Sequence, residues 1–226
     1  QAIPYYREFL ERFPSTEALA DAERDEVLQV WEGLGYYSRA RYLHEAARKV
    51  VDEHDGKVPR EEGALSDLPG IGPYTSAAIL SFAFAEPKAV LDGNVTRVLS
   101  RIYALEDEVT RSPVKRALRA QANRLIDPER PGRFNQAMME LGATICTPSS
   151  PRCGDCPLAE VCRARAQGRP EAYPRKKARS ERPHREVAVG LVRDEENRLL
   201  IARRPDEAML GGLWEFPGGK REDGED

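Results

Sequence analysis

The feature that most constrains this chain is a group of four cysteines in one short segment: Cys146, Cys153, Cys156 and Cys162, with the pattern C-x6-C-x2-C-x5-C. Disulfides are disfavoured, because four cysteines in one loop of a chain that can bury its own core do not resemble a disulfide-stapled mini-protein. Four thiolates suit tetrahedral zinc, but zinc sites usually combine two C-x2-4-C pairs. A compact loop with one such pair also suits an iron–sulfur cluster, whose irons are held by cysteine thiolates. Thiol chemistry therefore favours a cluster and leaves zinc open.

The chain up to about residue 167 is predicted to be helical. Apolar residues recur there at three- and four-residue steps, and Pro or Gly separates the periodic stretches. The predicted helices cover residues 4–13, 24–32, 38–54, 74–84, 95–104, 113–126 and 134–145. Residues 168–186 contain three prolines and seven Lys or Arg, which predicts a basic linker.

The last part of the chain, residues 187–226, changes from helical to β character. Glu186–Val192 and Arg198–Ala202 are predicted strands, joined by a turn at residues 194–197. About 40 residues are too few to close a sheet around a core. We therefore expect the beginning of a second, β-containing domain.

The charge distribution favours a polyanionic partner for the middle of the chain. The 226 residues carry a net charge of −3, but residues 68–185 contain 20 basic and 12 acidic side chains, whereas residues 1–67 contain 9 and 15. A basic middle between acidic flanks suits phosphate binding, although cations scattered over helix faces would give the same count. No apolar run is long enough to predict a membrane span.

A glycine-containing turn, Leu68-Pro-Gly-Ile-Gly72, lies between two helical stretches. Gly70 and Gly72 allow a tight turn and leave backbone amides uncovered, and Pro73 suits the first turn of the next helix. Amides at a helix N-terminus can bind phosphate. An ordinary turn between two helices is the alternative. The candidate phosphate-binding residues are Leu68, Gly70, Ile71, Gly72 and Thr75.

A second candidate segment, Val90-Leu-Asp-Gly-Asn-Val95, precedes a predicted helix. Asp and Asn are both strong helix caps, so capping alone accounts for Asp92 and Asn94. Only further motifs can separate capping from catalysis at this position.

Taken together, the cysteine spacing, the L-P-G-I-G turn and the L-D-G-N-V segment resemble the endonuclease III and MutY family of DNA glycosylases. The resemblance implies a mostly α, helix-hairpin-helix glycosylase fold in residues 1–167, with the motif at about residues 66–80. It implies a [4Fe-4S] cluster held by the four cysteines in the loop 146–162, where Arg152 is expected to contact DNA. It also implies that Asp92 is the catalytic aspartate and Asn94 an active-site asparagine. Losing a base builds positive charge on deoxyribose, which a fixed carboxylate can stabilise.

Tyr74 points to the monofunctional adenine glycosylase branch of that family. The bifunctional endonuclease III type has a Schiff-base lysine at this hairpin position, and a phenol cannot form an iminium. In the resembling branch this tyrosine lies near the flipped nucleotide, although a tyrosine packed on the core is the alternative. Trp31–Arg41 and Phe134–Gly142 are similar to stretches of the same branch, and make Arg39 and Arg41 candidates for DNA contact or for plain surface charge. Gly212–Lys220 resembles the opening of its Nudix-like α/β domain.

The expected activity is hydrolysis of the N-glycosidic bond of adenine mispaired with 8-oxoguanine or guanine in double-stranded DNA. We expect a monomer in a bacterial cytoplasm, associated with the nucleoid. The family's catalytic glutamate lies upstream of Ile3–Tyr6, and its 8-oxoguanine-sensing residues lie beyond Asp226. We therefore interpret the chain as truncated at both ends and expect little or no catalysis from it alone.

Three other functions stay open. Gly218-Gly219 and Glu225 match the start of a Nudix pyrophosphohydrolase motif, without its remaining glutamates. A DNA-binding module without activity is favoured by the missing acid. An endonuclease III-type lyase is disfavoured by Tyr74.

Overall fold

A computed structural model describes residues 3–176, 184–205, 208 and 210–221. The chain divides into two compact units, one formed by residues 58–178 and the other by residues 1–57 with residues 179–226. Among the described residues, no helix is both long and apolar enough to cross a lipid bilayer. The α-helices of this part are α1 (Ile3–Arg12), α2 (Thr16–Asp21), α3 (Arg24–Val30), α4 (Ser38–His54), α5 (Glu62–Ser66), α6 (Pro73–Ala83), α7 (Gly93–Tyr103), α8 (Ser112–Leu125), α9 (Pro131–Thr144) and α10 (Arg163–Ala166).

The mostly helical prediction is confirmed, since each of the seven predicted helices is present with ends within three residues of the expected ones. Three helices were not predicted: α2, α5 and α10, which are six, five and four residues long. Helices this short complete too few turns for an apolar period to emerge. They are stabilised by tertiary packing rather than by their own sequence.

In the unit that contains residues 1–57, α4 packs against α2 and α3. Its buried face includes Ala40 and Ala47, which contact Leu19 and Val27 of the shared core. His44 and Arg48, one turn apart on α4, bond the carbonyl groups at the end of α2: Nε2 of His44 lies 3.0 Å from the Ala22 oxygen, and Nε of Arg48 donates to the Ala20 oxygen at 3.0 Å. Burial, and then the charge of Arg48, lower the pKa of His44.

In the unit formed by residues 58–178, α7 is the central helix. It packs against α8, α9 and α10, and its side chains Val95 and Leu99 are buried in a core with Leu118 and Ala122 of α8. Ala104 ends the helix in the left-handed conformation, at φ 49°. Because three helices surround it, α7 can hold side chains at both of its ends in fixed positions.

The first part of the predicted linker is packed against this unit. Tyr173 is 1% exposed, and the backbone N–H of Val109 donates to the carbonyl of Arg175 at 3.1 Å. One buried aromatic residue is enough to anchor a segment whose composition otherwise predicts a linker. The divisions between the two compact units fall after residues 57 and 178, and the domain boundaries at residues 167 and 186 stay a prediction. Residues 177–183 of the predicted linker lie outside the described residues.

The described residues of the C-terminal segment include the short strands β1 (Val187–Val189), β2 (Ala202–Arg203), β3 (Trp214–Glu215) and β4 (Gly218–Lys220). β1 pairs antiparallel with β4, and β2 pairs antiparallel with β3. The predicted turn at residues 194–197 is present, with Asn197 at φ 64°. Beside this turn, Arg193 and Leu199 form an isolated antiparallel bridge. The N–H of Leu200 donates to the carbonyl of Val192, and the N–H of Asp194 donates to the carbonyl of Arg198.

Candidate active site

Asp92 lies at the N-terminus of α7, where two hydrogen bonds hold its half-buried carboxylate. Oδ1 accepts the backbone N–H of Val95 at 2.7 Å, and Oδ2 accepts the side-chain amide of Asn94 at 3.0 Å. Asp92 therefore caps the helix, and the positive end of the helix dipole favours its negative charge. Capping leaves lone pairs free on both oxygens for a further contact. Capping and catalysis are compatible roles for this carboxylate.

Asn94 is held in turn by Arg97, one turn further along α7. Nη2 of Arg97 donates to Oδ1 of Asn94 at 2.8 Å and to the carbonyl of Gly142 at 2.7 Å. Its Nε donates to the carbonyl of Cys146 at 2.7 Å. Burial and the neighbouring charge of Arg101 lower the pKa of Arg97, against the opposite influence of Cys146 and Asp92. A continuous row of hydrogen bonds thus runs from Asp92 to the first residue of the cysteine loop.

The segment leading into Asp92 is fixed by two asparagines. Oδ1 of Asn135, a buried residue of α9, accepts the N–H of Val90 at 3.0 Å, and its Nδ2 donates to Ser81 Oγ at 2.8 Å. Oδ1 of Asn123 accepts the N–H of Ala89 at 2.8 Å. An extended segment has no helix partners for its amides, so these side chains supply them. The sequence alone did not predict that Asn123 and Asn135 hold this segment, although Asn135 lies in the stretch Phe134–Gly142 that is similar to the adenine glycosylase branch.

Tyr74 and Asn94 both contact the same helix, α9. The hydroxyl of Tyr74, whose side chain is 44% exposed, lies 3.9 Å from the sulfur of Met139. One turn later, Gly142 packs so closely on Asn94 that an added Cβ would lie 2.5 Å from the Asn94 Cβ. α9 therefore brings the start of α6 and the start of α7, with their candidate residues, to one face.

The turn between α5 and α6 has the geometry expected of a backbone-binding hairpin. Leu68 is buried and its carbonyl accepts the N–H of Ile71 at 3.1 Å. Gly70 adopts φ 75°, a conformation that glycine reaches without strain. Gly72 is exposed, and an added Cβ would meet nothing within 4 Å. Thr75 lies in the first turn of α6, so this helix start presents amides to an open surface.

The four cysteines line one cavity, together with Arg101, Arg152 and Arg165. None of the four forms a disulfide. Burial, and then the negative charges of the other three thiols, raise the pKa of Cys153. Within the described residues, no three side chains of metal-ligating type are arranged around a single ion position. Four cysteine thiolates around one cavity are the donor set of an iron–sulfur cluster, so the residues present fit such a cluster.

Family models match three parts of the chain. Residues 1–124 match a model described as HhH-GPD superfamily base excision DNA repair protein. This chain belongs to the HhH-GPD superfamily. Residues 146–162 match the iron–sulfur binding domain of endonuclease III, and residues 188–226 match the NUDIX domain. The predicted family, the fold class and an iron–sulfur cluster in the cysteine loop are therefore confirmed.

Curated relatives of this HhH-GPD protein are named adenine DNA glycosylase. The protein of Mus musculus is 40% identical, over 95% of this chain and 50% of the relative. The protein of Homo sapiens is 39% identical, over 95% and 48%. The protein of Buchnera aphidicola subsp. Acyrthosiphon pisum is 32% identical, over 96% and 61%. The chain thus spans about half the length of the first two relatives.

Solved structures of DNA glycosylases share the fold. A thermostable thymine-DNA glycosylase matches with a TM-score of 0.68 and 29% identity, over 74% of this chain and 76% of the other. A trapped endonuclease III–DNA covalent intermediate matches with a TM-score of 0.62 and 25% identity, over 74% and 77%. The second of these structures is a complex with DNA.

The arginines predicted to contact DNA lie in different surroundings. Arg152 is exposed in the cysteine loop, where it donates to the carbonyl of Thr144 at 3.1 Å and lies 3.6 Å from the carboxylate of Asp155. Arg41 donates to the carbonyl of Gly211 at 2.8 Å, within the unit that contains the C-terminal segment. DNA contact by either residue stays a prediction.

Arg39, the third predicted arginine, lies over two aromatic rings. Its guanidinium is 5.4 Å from the ring centre of Trp31 and 5.6 Å from that of Tyr36. Tyr36 itself is 80% exposed and has φ 49°, which is unusual for a bulky residue. An exposed ring held in this way can stack on a base, a feature that the sequence motif did not single out.

Proposed function

We propose that the complete protein is a monofunctional DNA glycosylase that removes adenine mispaired with 8-oxoguanine or guanine. The observation that supports it most directly is the carboxylate of Asp92 at the start of α7, where Oδ1 caps the helix and Oδ2 accepts the side-chain amide of Asn94. A glycosylase needs a fixed anion beside the sugar and has to admit a nucleotide turned out of the duplex. The names of the curated relatives supply the base specificity.

In this proposal Asp92 stabilises the positive charge that develops on deoxyribose as the glycosidic bond breaks. Asn94 keeps the carboxylate turned toward the sugar, and Tyr74 lies beside the everted nucleotide. A general acid protonates the adenine ring and so weakens the bond. Water then completes hydrolysis, because residue 74 has no amine that could trap the sugar as a Schiff base.

The proposed DNA grip has two parts. The hairpin at residues 66–80 binds backbone phosphates through amides near Gly70, Gly72 and Thr75. The cysteine loop adds Arg152, and Arg39 and Arg41 are proposed as further phosphate contacts. We also propose a monomer in the bacterial cytoplasm, with residues 1–167 as the glycosylase domain and residues 187–226 as the start of a Nudix-like domain.

We propose a [4Fe-4S] cluster as the cofactor, held by Cys146, Cys153, Cys156 and Cys162. One thiolate for each of four irons matches the donor set, and all four thiols line the same cavity. When bound, the cluster fixes the loop as a docking element and supplies no step of the hydrolysis.

The test is single-turnover base release by the complete protein on duplexes that contain A:8-oxoguanine, A:G or A:T. We expect release from the first two, strand scission only after alkali, and no adduct after borohydride treatment. Tight binding without release would show a DNA-binding module instead. A borohydride-trapped adduct would contradict the monofunctional mechanism.

A further inference from the structure

Arg101 is a buried cation whose hydrogen bonds all point at the cysteine loop and its return segment. Its side chain is 2% exposed. Nη1 donates to the carbonyl of Thr147 at 2.7 Å and lies 3.3 Å from the Cys146 sulfur. Nη2 donates to the carbonyl of Pro148 at 3.0 Å, and Nε donates to the carbonyl of Tyr173 at 3.1 Å. The fork of the guanidinium thus joins both ends of the loop region to α7.

No carboxylate compensates this charge within the described residues, where the ion pairs formed by arginines do not include Arg101. Carbonyl groups satisfy its N–H donors but carry no net charge. A buried cation without an anion is costly, and it is rarely retained unless something negative accompanies it. The Cys146 sulfur, 3.3 Å from Nη1 of Arg101, becomes an anion on ligating a metal.

Arg152 and Arg165, the other two cations that line the cavity, differ from Arg101 because they are exposed and paired with carboxylates. Arg152 is 61% exposed and lies 3.6 Å from Asp155, and Arg165 is 43% exposed and lies 3.1 Å from Glu160. Water and a carboxylate screen the charge of each, so neither acts strongly on the cavity. Arg101 has neither form of screening.

We propose that Arg101 is the internal counter-charge of the iron–sulfur cluster, a positioning residue that retains the cluster and raises its reduction potential by donating to the Cys146 thiolate. The inference rests on the proposed cofactor. A cluster with four thiolate ligands is anionic, and one added electron makes it more so. A buried cation in contact with a ligand sulfur therefore favours the reduced form, as hydrogen bonds to cluster sulfurs generally do.

The experiment compares the complete, iron-loaded protein with Arg101→Gln, Arg101→Lys and the control Arg165→Gln. Readouts are iron per chain, visible absorbance, the reduction potential on an electrode without DNA, and the rate at which a chelator removes iron. Arg101→Gln should lower the reduction equilibrium constant at least about tenfold, which is about 59 mV for a one-electron couple. It should also lose iron faster. Arg165→Gln should leave the reduction potential and the rate of iron loss near the wild-type values.

Arg101→Lys separates charge from hydrogen bonding and keeps the test decisive if Arg101→Gln fails to fold. Lysine keeps the cation, but its single nitrogen lacks the planar fork that reaches three separated carbonyls, so the potential should stay nearer to wild type while iron is lost faster. An unchanged potential in iron-loaded Arg101→Gln would overturn the inference. So would a potential in Arg101→Lys that falls as far as in Arg101→Gln, or iron loss from Arg101→Lys that is no faster than from wild type. Wild-type protein without iron would instead overturn the proposed cofactor.

Discussion

The two ends of α7 hold their functional groups in opposite ways. At its N-terminus, the carboxylate of the half-buried Asp92 accepts hydrogen bonds from Asn94 and Val95, two and three residues away. In its second half, Arg101 is buried and bonded to groups 45 to 72 residues away. A local arrangement leaves a carboxylate open to substrate, whereas a long-range one ties separate parts of the chain together. One helix thus combines a proposed reactive end with an anchored end.

The largest effect is expected from Asp92→Asn. Asparagine is isosteric and caps helices as well as aspartate does, so the fold should survive, but the negative charge beside the sugar is gone. We expect base release to fall by more than about 10³-fold, with DNA binding largely kept. Single-turnover excision and a binding titration on the same duplex measure the two effects. Equal loss of both would show that Asp92 only caps the helix.

The next-largest effect is expected from Arg97, which connects Asn94 at the start of α7 to Cys146 of the cysteine loop. Arg97→Gln removes the charge-assisted bonds to Asn94 and to the carbonyls of Gly142 and Cys146. We expect a loss of about 2–4 kcal/mol in the free energy of unfolding, together with slower excision. Denaturant unfolding provides the measurement.

The matched control for Arg97 is Arg119→Gln on α8, whose side chain forms no hydrogen bond or ion pair with any described residue. Its substitution should change stability by less than about 0.5 kcal/mol. Similar losses in both variants would mean that the row of bonds from Asp92 to the cysteine loop has no special importance.

The contrast between local and long-range contacts also explains what the sequence could predict. The seven long helices, the L-P-G-I-G turn and the capping position of Asp92 depend on neighbours within a turn or two, so periodicity and motif revealed them. Arg97, Arg101 and Asn135 acquire their roles from partners far along the chain. No local pattern marks them, since a helical Arg reads as surface charge until the fold buries it. Tyr173 was hidden in the same way, within a segment whose composition predicts a linker.

A smaller effect is expected from Gly142→Ala. Alanine in a helix is normally more stable than glycine by about 1 kcal/mol, but here its Cβ would lie 2.5 Å from the Asn94 Cβ and 3.0 Å from the Asn94 Cα. Separating α9 from α7 should cost about 1–3 kcal/mol and slow excision by displacing Asn94. Thermal unfolding and single-turnover rates measure this. In Gly154→Ala, where a Cβ meets nothing within 4 Å, the unfolding temperature and the excision rate should stay near wild type. Equal changes in Gly142→Ala and Gly154→Ala would refute close packing at Asn94.

The smallest effect concerns the hydrogen bond between Tyr173, in the first part of the predicted linker, and Glu106. The hydrogen bond from Tyr173, followed by that from Arg175, lowers the pKa of Glu106. A lowered carboxyl pKa adds stability above the ordinary pKa, and that stability is lost as the pH falls through the lowered value. Tyr173→Phe should therefore move the acid-unfolding midpoint to higher pH, as circular dichroism can follow. Tyr103→Phe, which removes a hydroxyl without a hydrogen bond in the described structure, should not move it.

The most direct test of the reactive end is a structure of the complete Asp92→Asn protein bound to a duplex with an A:8-oxoguanine mispair. The account predicts an everted adenine nucleotide whose sugar faces the side chain of residue 92, with the turn at residues 68–72 on the backbone phosphates beside it. A stacked, paired adenine, or an everted one whose sugar lies away from residue 92, would contradict it.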